Sequence, residues 1–399
     1  MNDVSGMSGS DSHSRPVVVT ALGFTQILGY GTSFYLLAVL AAPIASETGW
    51  DLPRITAGLS IGLFIGGLAA PMVGRLVDGF GGRPVLAFGS ICFAVGLGGL
   101  GTATNIIVYW LAWCVIGLGM AAGLYDAAFS ALGRWYREDA RPLITTVTLW
   151  GGFASTLCWP LSAYLVANVG WRWTCIIFAG GHLLLALPLH VWLMPRNGAP
   201  QPHAITAGMD VSTLAERRLL FVLMAVTMML SSIIVTVISV HLIPVLQGYG
   251  YSAAAAVVLG ALIGPSQVAG RVAELAIGRR VHPVWSTLAA GLMMGVGTAM
   301  LTFSVKMAAI AIVIYAMGAG VSYIVRGTLP LVMFGADGYA TLMGKLVFPS
   351  LIAQALAPWV AALALARWGD GVLFPILMAL ALANVVAVVA MLMSRRSFP

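Results

Sequence analysis

GRLVDGFGGRP, residues 74–84, sets four glycines, one Asp and two Arg between two long apolar runs. Glycine and charge in one short loop suit a phosphate cradle as well as a tight turn. The flanking runs separate the two. The chain of 399 residues is 60% hydrophobic and 8% charged, whereas soluble domains carry about 25% charged residues. A hydrocarbon core about 30 Å thick is crossed by about 20 apolar residues in helix, and such runs recur from end to end. The stretch reads as a turn between two spans of an all-α polytopic membrane protein.

Twelve spans are predicted, near 17–44, 53–78, 84–104, 106–136, 142–168, 172–194, 217–247, 252–277, 283–304, 307–335, 339–366 and 371–393. The expected organisation is a disordered tail over 1–15, a six-helix bundle over 16–194, a Pro- and Gly-rich linker over 195–216, a second bundle over 217–394 and a tail over 395–399. The polar start, MNDVSGMSGSDSHSR, leads to the expectation that no cleavable signal peptide precedes the first span.

Basic residues set the expected orientation. With both termini cytoplasmic, the inner side holds fourteen Arg, among them Arg15, Arg75, Arg83, Arg134, Arg137, Arg141 and Arg271, and the outer side holds four, Arg54, Arg172, Lys306 and Arg367. That bias predicts both termini in the cytoplasm and, for the chain, the inner (cytoplasmic) membrane. The net charge of +7 therefore reflects topology, and a nucleic acid partner is not expected. Four single cysteines inside apolar runs, with no CxxC spacing and no histidine cluster, give no metal site and no disulfide frame.

The opening stretch has a second copy. Shifted by 196 residues, GRLVDGFGGR falls on GRVAELAIGR, so that Gly74, Arg75, Asp78, Gly82 and Arg83 map to Gly270, Arg271, Glu274, Gly278 and Arg279. Shifted by 198, Tyr125 falls on Tyr323 and Pro160 on Pro358. Matches at nearly constant offset mark a duplicated six-helix unit.

Two parallel halves joined by a long loop resemble the major facilitator transporters. That family's signature after the second span is Gly, three residues, Asp, a basic residue, any residue, Gly and a basic pair. Gly74, Asp78, Gly81 and Arg83 occupy those places, while Gly79 and Gly82 replace two basic residues. The resemblance implies that Asp78 caps the start of the eleventh helix, near Tyr339 to Leu342, when the cytoplasmic side is closed. Gly74, Asp78, Gly81, Arg83, Gly270, Arg271, Glu274 and Arg279 form the expected cytoplasmic gating motif. By repeat symmetry Arg271 is assigned to gating in preference to substrate contact.

GLGGLG, residues 96–101, satisfies GxGxxG but lies inside an apolar span, so helix packing is expected there and no nucleotide. The chemistry is sought among ionisable residues inside spans, which insertion scales penalise by at least about 2.5 kcal/mol each and which usually face a cavity or one another. Asp126 in GLYDAAF and Arg326 in VSYIVRG are such residues, one in each half. They are expected to pair across the halves, with Tyr125 and Tyr323 as walls of a substrate cavity and Asp126 as the proton-coupling group. Gln26 and Tyr30 share one face of the first span at i, i+4 spacing and join that cavity. His241 suits either an interfacial residue or a proton site, and Lys345 either the cavity or the cytoplasmic surface; both are counted with the cavity.

GYGTSFY at 29–35, ETGW at 47–50 and GPSQ at 264–267 look like bacterial relatives of the monocarboxylate and oxalate/formate porters. The resemblance implies a small organic anion carried with a proton or exchanged for another anion; a monomer with no cofactor is expected. An efflux pump for amphiphilic compounds is the alternative within transport, and a membrane sensor is the alternative outside it. An enzyme is not expected, because the spans hold no Ser/His/Asp set, metal cluster or paired carboxylates.

Overall fold

The structure, a computed structural model, describes residues 14–196, 214–278 and 281–394. The predicted tails and linker fall almost wholly outside these residues, as does Arg279 of the predicted gating motif.

Backbone N–H and C=O groups in hydrocarbon must bond within their own segment, and the described chain is accordingly helical throughout, with no strand among the described residues. Ten helical runs are long and apolar enough to cross a membrane. Two breaks bring the spans to twelve. The first span, α1, is divided into Arg15–Gly31 and Leu37–Thr48, each too short for the ten. The run Ala140–Leu193 contains two spans, because Gly170 at φ 79° interrupts it. We number these α5 (140–169) and α6 (171–193). The others are α2 Leu52–Phe80, α3 Gly82–Gly101, α4 Ile106–Tyr136, α7 Leu214–Gly248, α8 Ala254–Ile277, α9 Pro283–Phe303, α10 Ala308–Phe334, α11 Tyr339–Trp368 and α12 Leu373–Met393.

The stretch that opened the reading folds as a turn of one residue. Gly81 alone separates α2 from α3, at φ 92° and ψ 168°, a conformation that only glycine adopts without strain. Further along α3, a side chain on Gly96 would strike Ile116 and one on Gly101 would strike Arg172, so GLGGLG is a helix contact face.

Each half has its own apolar core. One surrounds Tyr109, Trp113, Phe93 and Leu97; another, around Met294, Tyr315 and Phe374, is drawn wholly from the second half. A third core joins the halves, packing Val18, Phe129 and Ile144 with Leu331, Tyr339, Met343 and Val347. These residues lie toward the face on which α1 begins and α12 ends.

Candidate functional site

Helix α4 is not continuous. Leu124 takes an extended conformation, φ −87° and ψ −170°, and the helix restarts at Tyr125. Asp126 thus stands in the first turn of a helical segment, where the peptide dipoles favour a carboxylate. Gln26 of α1, fully buried, donates from Nε2 to the Gly123 carbonyl at 2.8 Å and so supplies a partner at this break.

Arg326 of α10 meets Asp126 in a two-point ion pair. Its Nε donates to Oδ1 at 2.8 Å and its Nη2 to Oδ2 at 2.9 Å, while Nη1 reaches Ser232 Oγ of α7 at 3.3 Å. The planar guanidinium matches the carboxylate edge, the strongest geometry such a pair can adopt. The Arg and Asp side chains are 12% and 24% exposed, against 34% or more for either partner of the other ion pairs among the described residues.

The pair faces a cavity lined by Tyr30 and Phe34 of α1, Met120 of α4, Thr227, Ser231, Ser232 and Thr236 of α7, Ser322 and Tyr323 of α10, and Gln354 of α11. Tyr125 stands behind it. Its ring lies 4.7 Å from that of Tyr30 and 6.2 Å from that of Tyr323, and its hydroxyl donates to the Thr148 carbonyl at 3.2 Å.

Four residues expected to line the cavity do not: Tyr125 stands behind it, and three others lie elsewhere. Gln26 is absent from the lining, engaged by the α4 break. His241 bridges α7 and α11 through Nε2 and the Pro358 carbonyl, 3.0 Å apart. Lys345 is exposed and does not line the cavity, since the face of α11 turned inward is that of Gly344 and Val347.

On the face carrying the termini the halves are locked together. Asp78 Oδ2 accepts from the Thr341 backbone N–H at 2.7 Å, in the first turn of α11, while Arg134 donates to the Asp78 carbonyl. A side chain on Gly74 would collide with the Ala340 carbonyl, so α2 and α11 touch through backbone there. Arg137 pairs with Asp337 at 3.0 Å, and Arg141 donates to the Val281 carbonyl at 2.7 Å. Arg83 is half-buried at the start of α3. The bonds from Arg141 to Gly278 and Val281, from Arg271 to Thr148, from Thr341 to Asp78 and between Arg137 and Asp337, with the Asp126–Arg326 pair, join the halves.

The second copy of the motif is used differently. A side chain on Gly270 would strike Met317 of α10, and Glu274 Oε1 accepts from Ser286 of α9 at 2.8 Å. Both contacts stay within the second half, whereas Gly74 and Asp78 reach across to the other. Arg271 also departs from its repeat partner: Arg75 is exposed, but Arg271 is 3% exposed. Its Nη1 donates to the Thr148 carbonyl of α5 at 2.6 Å, its guanidinium lies 5.0 Å over the Tyr323 ring, and its Nε has no partner. Arg271 thus lies in the buried interface beside the cavity's tyrosines, and its bond to Thr148 is one of those that join the halves. Gly152 of α5 makes room for it, because a side chain there would meet the guanidinium.

Two further groups had no prominence in the sequence. The α7 hydroxyls are single Ser and Thr residues in an apolar run, a pattern common in any membrane helix. His182 and His190 lie on two wide, π-type turns of α6, 182–186 and 189–193. His182 bonds Thr32 at 2.8 Å; His190 bonds Ser90 at 2.9 Å and Thr25 at 3.1 Å. Together they fasten α6 to α1 and α3, and two histidines in one apolar run were the available clue.

A duplicated twelve-span architecture around a charged central cavity is the architecture of a transporter, and the chain belongs to the Major Facilitator Superfamily, whose family model matches residues 22–358. Among curated relatives, human "Monocarboxylate transporter 6" is 31% identical over 137 residues, 34% of this chain and 25% of that protein. Rat "Monocarboxylate transporter 13" is 25% identical over 320 residues, 75% of this chain and 68% of the relative. The alignment with the human relative thus spans about a quarter of its length. Among solved structures, FucP in the outward conformation superposes with a TM-score of 0.76 at 13% identity, covering 96% of this chain and 100% of that one. The human organic anion transporter MFSD10 (TETRAN) gives 0.71 at 17% identity, covering 94% and 100%. At these identities the superpositions establish the fold.

Proposed function

We propose that the protein is a secondary active transporter that moves a small, monocarboxylate-like organic anion by alternating access, with proton coupling through Asp126 or exchange for a second anion. The observation that carries this reading is a charge imbalance. Two guanidiniums, Arg326 on the cavity wall and Arg271 buried behind Tyr323, stand at this level of the interface against one carboxylate, Asp126. An interior with one uncompensated positive charge favours an anion, and Arg326, which lines the cavity, is the cation it would meet.

The cycle follows from the same count. An arriving carboxylate competes with Asp126 for Arg326, and a proton on the displaced Asp126 restores the net charge of the empty site. Loaded and empty carriers then turn over with equal interior charge, which avoids moving an extra charge through hydrocarbon. The face bearing the termini is taken as cytoplasmic, in the inner membrane, and closed; the protein acts as a monomer. Gly74 and Asp78 hold that closure, joined by Arg83 and Gly81 at the turn, while Gly270 and Glu274 brace the second half behind it.

The test is uptake of a labelled monocarboxylate by proteoliposomes containing the purified protein. An inward proton gradient, or trapped unlabelled anion, is expected to accelerate it. Indifference to every carboxylate under both conditions would contradict the anion reading. In the same assay Asp78→Asn is expected to slow exchange several-fold, by loss of a bond worth about 0.3–1 kcal/mol or somewhat more. Its substrate affinity stays near that of the native protein, and a native exchange rate would reduce Asp78 to turn chemistry.

A further inference from the structure

The cavity offers more hydroxyl groups than recognition of a carboxylate requires. Thr227, Ser231, Ser232 and Thr236 of α7 line it together with Ser322 of α10. Several are occupied. Ser322 donates to the Ala319 carbonyl at 2.7 Å, and Ser232 shares a hydrogen bond with Ser350 at 2.7 Å while meeting Arg326. Ser231 accepts from Asn384 Nδ2 at 2.8 Å, which leaves its own proton to donate.

Thr227 differs from all of these. It is 5% exposed, it lines the cavity, and its hydroxyl oxygen has no hydrogen-bond partner. Ser and Thr in apolar helices ordinarily satisfy the hydroxyl on a carbonyl one turn back, as Thr328 does with Ile324 at 3.1 Å. A buried hydroxyl without a partner is costly, and a ligand able to bond it gains what the empty site lacks.

We propose that the cavity takes a hydroxylated carboxylate, its carboxyl on Arg326 and a hydroxyl near the fourth carbon on Thr227, with Ser231 as second partner. The proposal rests on the anion reading above and narrows it. Thr227 lies five residues before Ser232, which touches Arg326, and five helical residues rise about 7.5 Å. One hydrogen bond at each end and a four-carbon chain between them span that separation. Met224, Met228 and Leu329 line the cavity beside it, so a methyl group is sterically admissible there. Preference for hydroxyl over methyl would come mainly from the bond to Thr227, which Ser231 supplements.

The probes are 4-hydroxybutanoate and pentanoate, of equal charge and chain length, one ending in hydroxyl and the other in methyl. Binding to the full-length protein in detergent is measured by calorimetry and by thermal shift. The hydroxy acid is expected to bind at least about tenfold more tightly, because a site built to bond a hydroxyl rejects the analogue lacking it. Thr227→Val should shrink that ratio to within about twofold, and Thr227→Ser, which keeps the hydroxyl, should retain it. Equal affinities in the native protein would overturn the proposal, as would a tenfold ratio that survives Thr227→Val. Binding of neither acid would remove the anion reading itself and the proposal with it, an outcome distinct from equal binding of both.

Discussion

Replacing Arg326 by alanine is expected to abolish carboxylate binding and uptake and to destabilise the folded protein at the same time. Removing one partner of a buried ion pair costs about 3–5 kcal/mol, because the other charge is left without compensation. Here the orphan would be Asp126, 24% exposed at the head of a restarted helix, which places the effect toward the lower end of that range. The stability loss is separable from the functional one. Arg326→Gln combined with Asp126→Asn removes both charges and leaves two polar, neutral side chains, so the double variant should recover most of the thermal stability while uptake stays absent. Restored uptake in the double variant would show that the pair is structural only. Asp126→Asn alone should bind carboxylate more readily, since Arg326 loses its competitor, yet lose its response to a proton gradient.

The second large effect is expected at Gly74. Valine there would drive its side chain into the Ala340 carbonyl, where α2 and α11 meet through backbone. Forcing extra atoms into a close contact costs about 1–3 kcal/mol, which shifts the ratio of closed to open forms by roughly five- to 150-fold. Because the contact joins the two halves, the cost falls on closure of this face and spares each half's own core. Uptake should fall accordingly while the helical content stays native. Gly79→Ala is the control, since a side chain at Gly79 meets nothing within 4 Å. Equal loss in the two variants would contradict the assignment.

Much of this architecture could be read from the sequence because hydrocarbon enforces it. Apolar runs must be helices, and charges inside them need partners, so Asp126 and Arg326 stood out and their pairing followed from the duplicated layout. The repeat was a poorer guide to individual side chains. It paired Arg271 with Arg75, which is exposed, but small residues at Gly152 and Gly320 let α8 approach its neighbours closely, and the guanidinium lies against Thr148 and Tyr323. Lys345 shows the converse. A lysine one turn and a half into α11 could point either way, and only the packing of Gly344 against α2 decides that it points out. Thr227 gave no signal at all, because what distinguishes it is a missing hydrogen bond, which a sequence does not display. The interruption of α4 at Leu124 was equally silent, although it places Asp126 where the helix dipole supports it.

The central claim is that the Asp126–Arg326 pair helps hold the halves together on the face bearing the termini until substrate or a proton releases it. Spin labels at Phe80 and Ile277, which end α2 and α8 on that face and are 70% and 63% exposed, report the separation of the halves by pulsed electron resonance in a background with the native cysteines replaced. The native protein without ligand should give one short distance, and Asp126→Asn should populate a second, longer one. An unchanged distance distribution in Asp126→Asn, with and without carboxylate, would contradict the account.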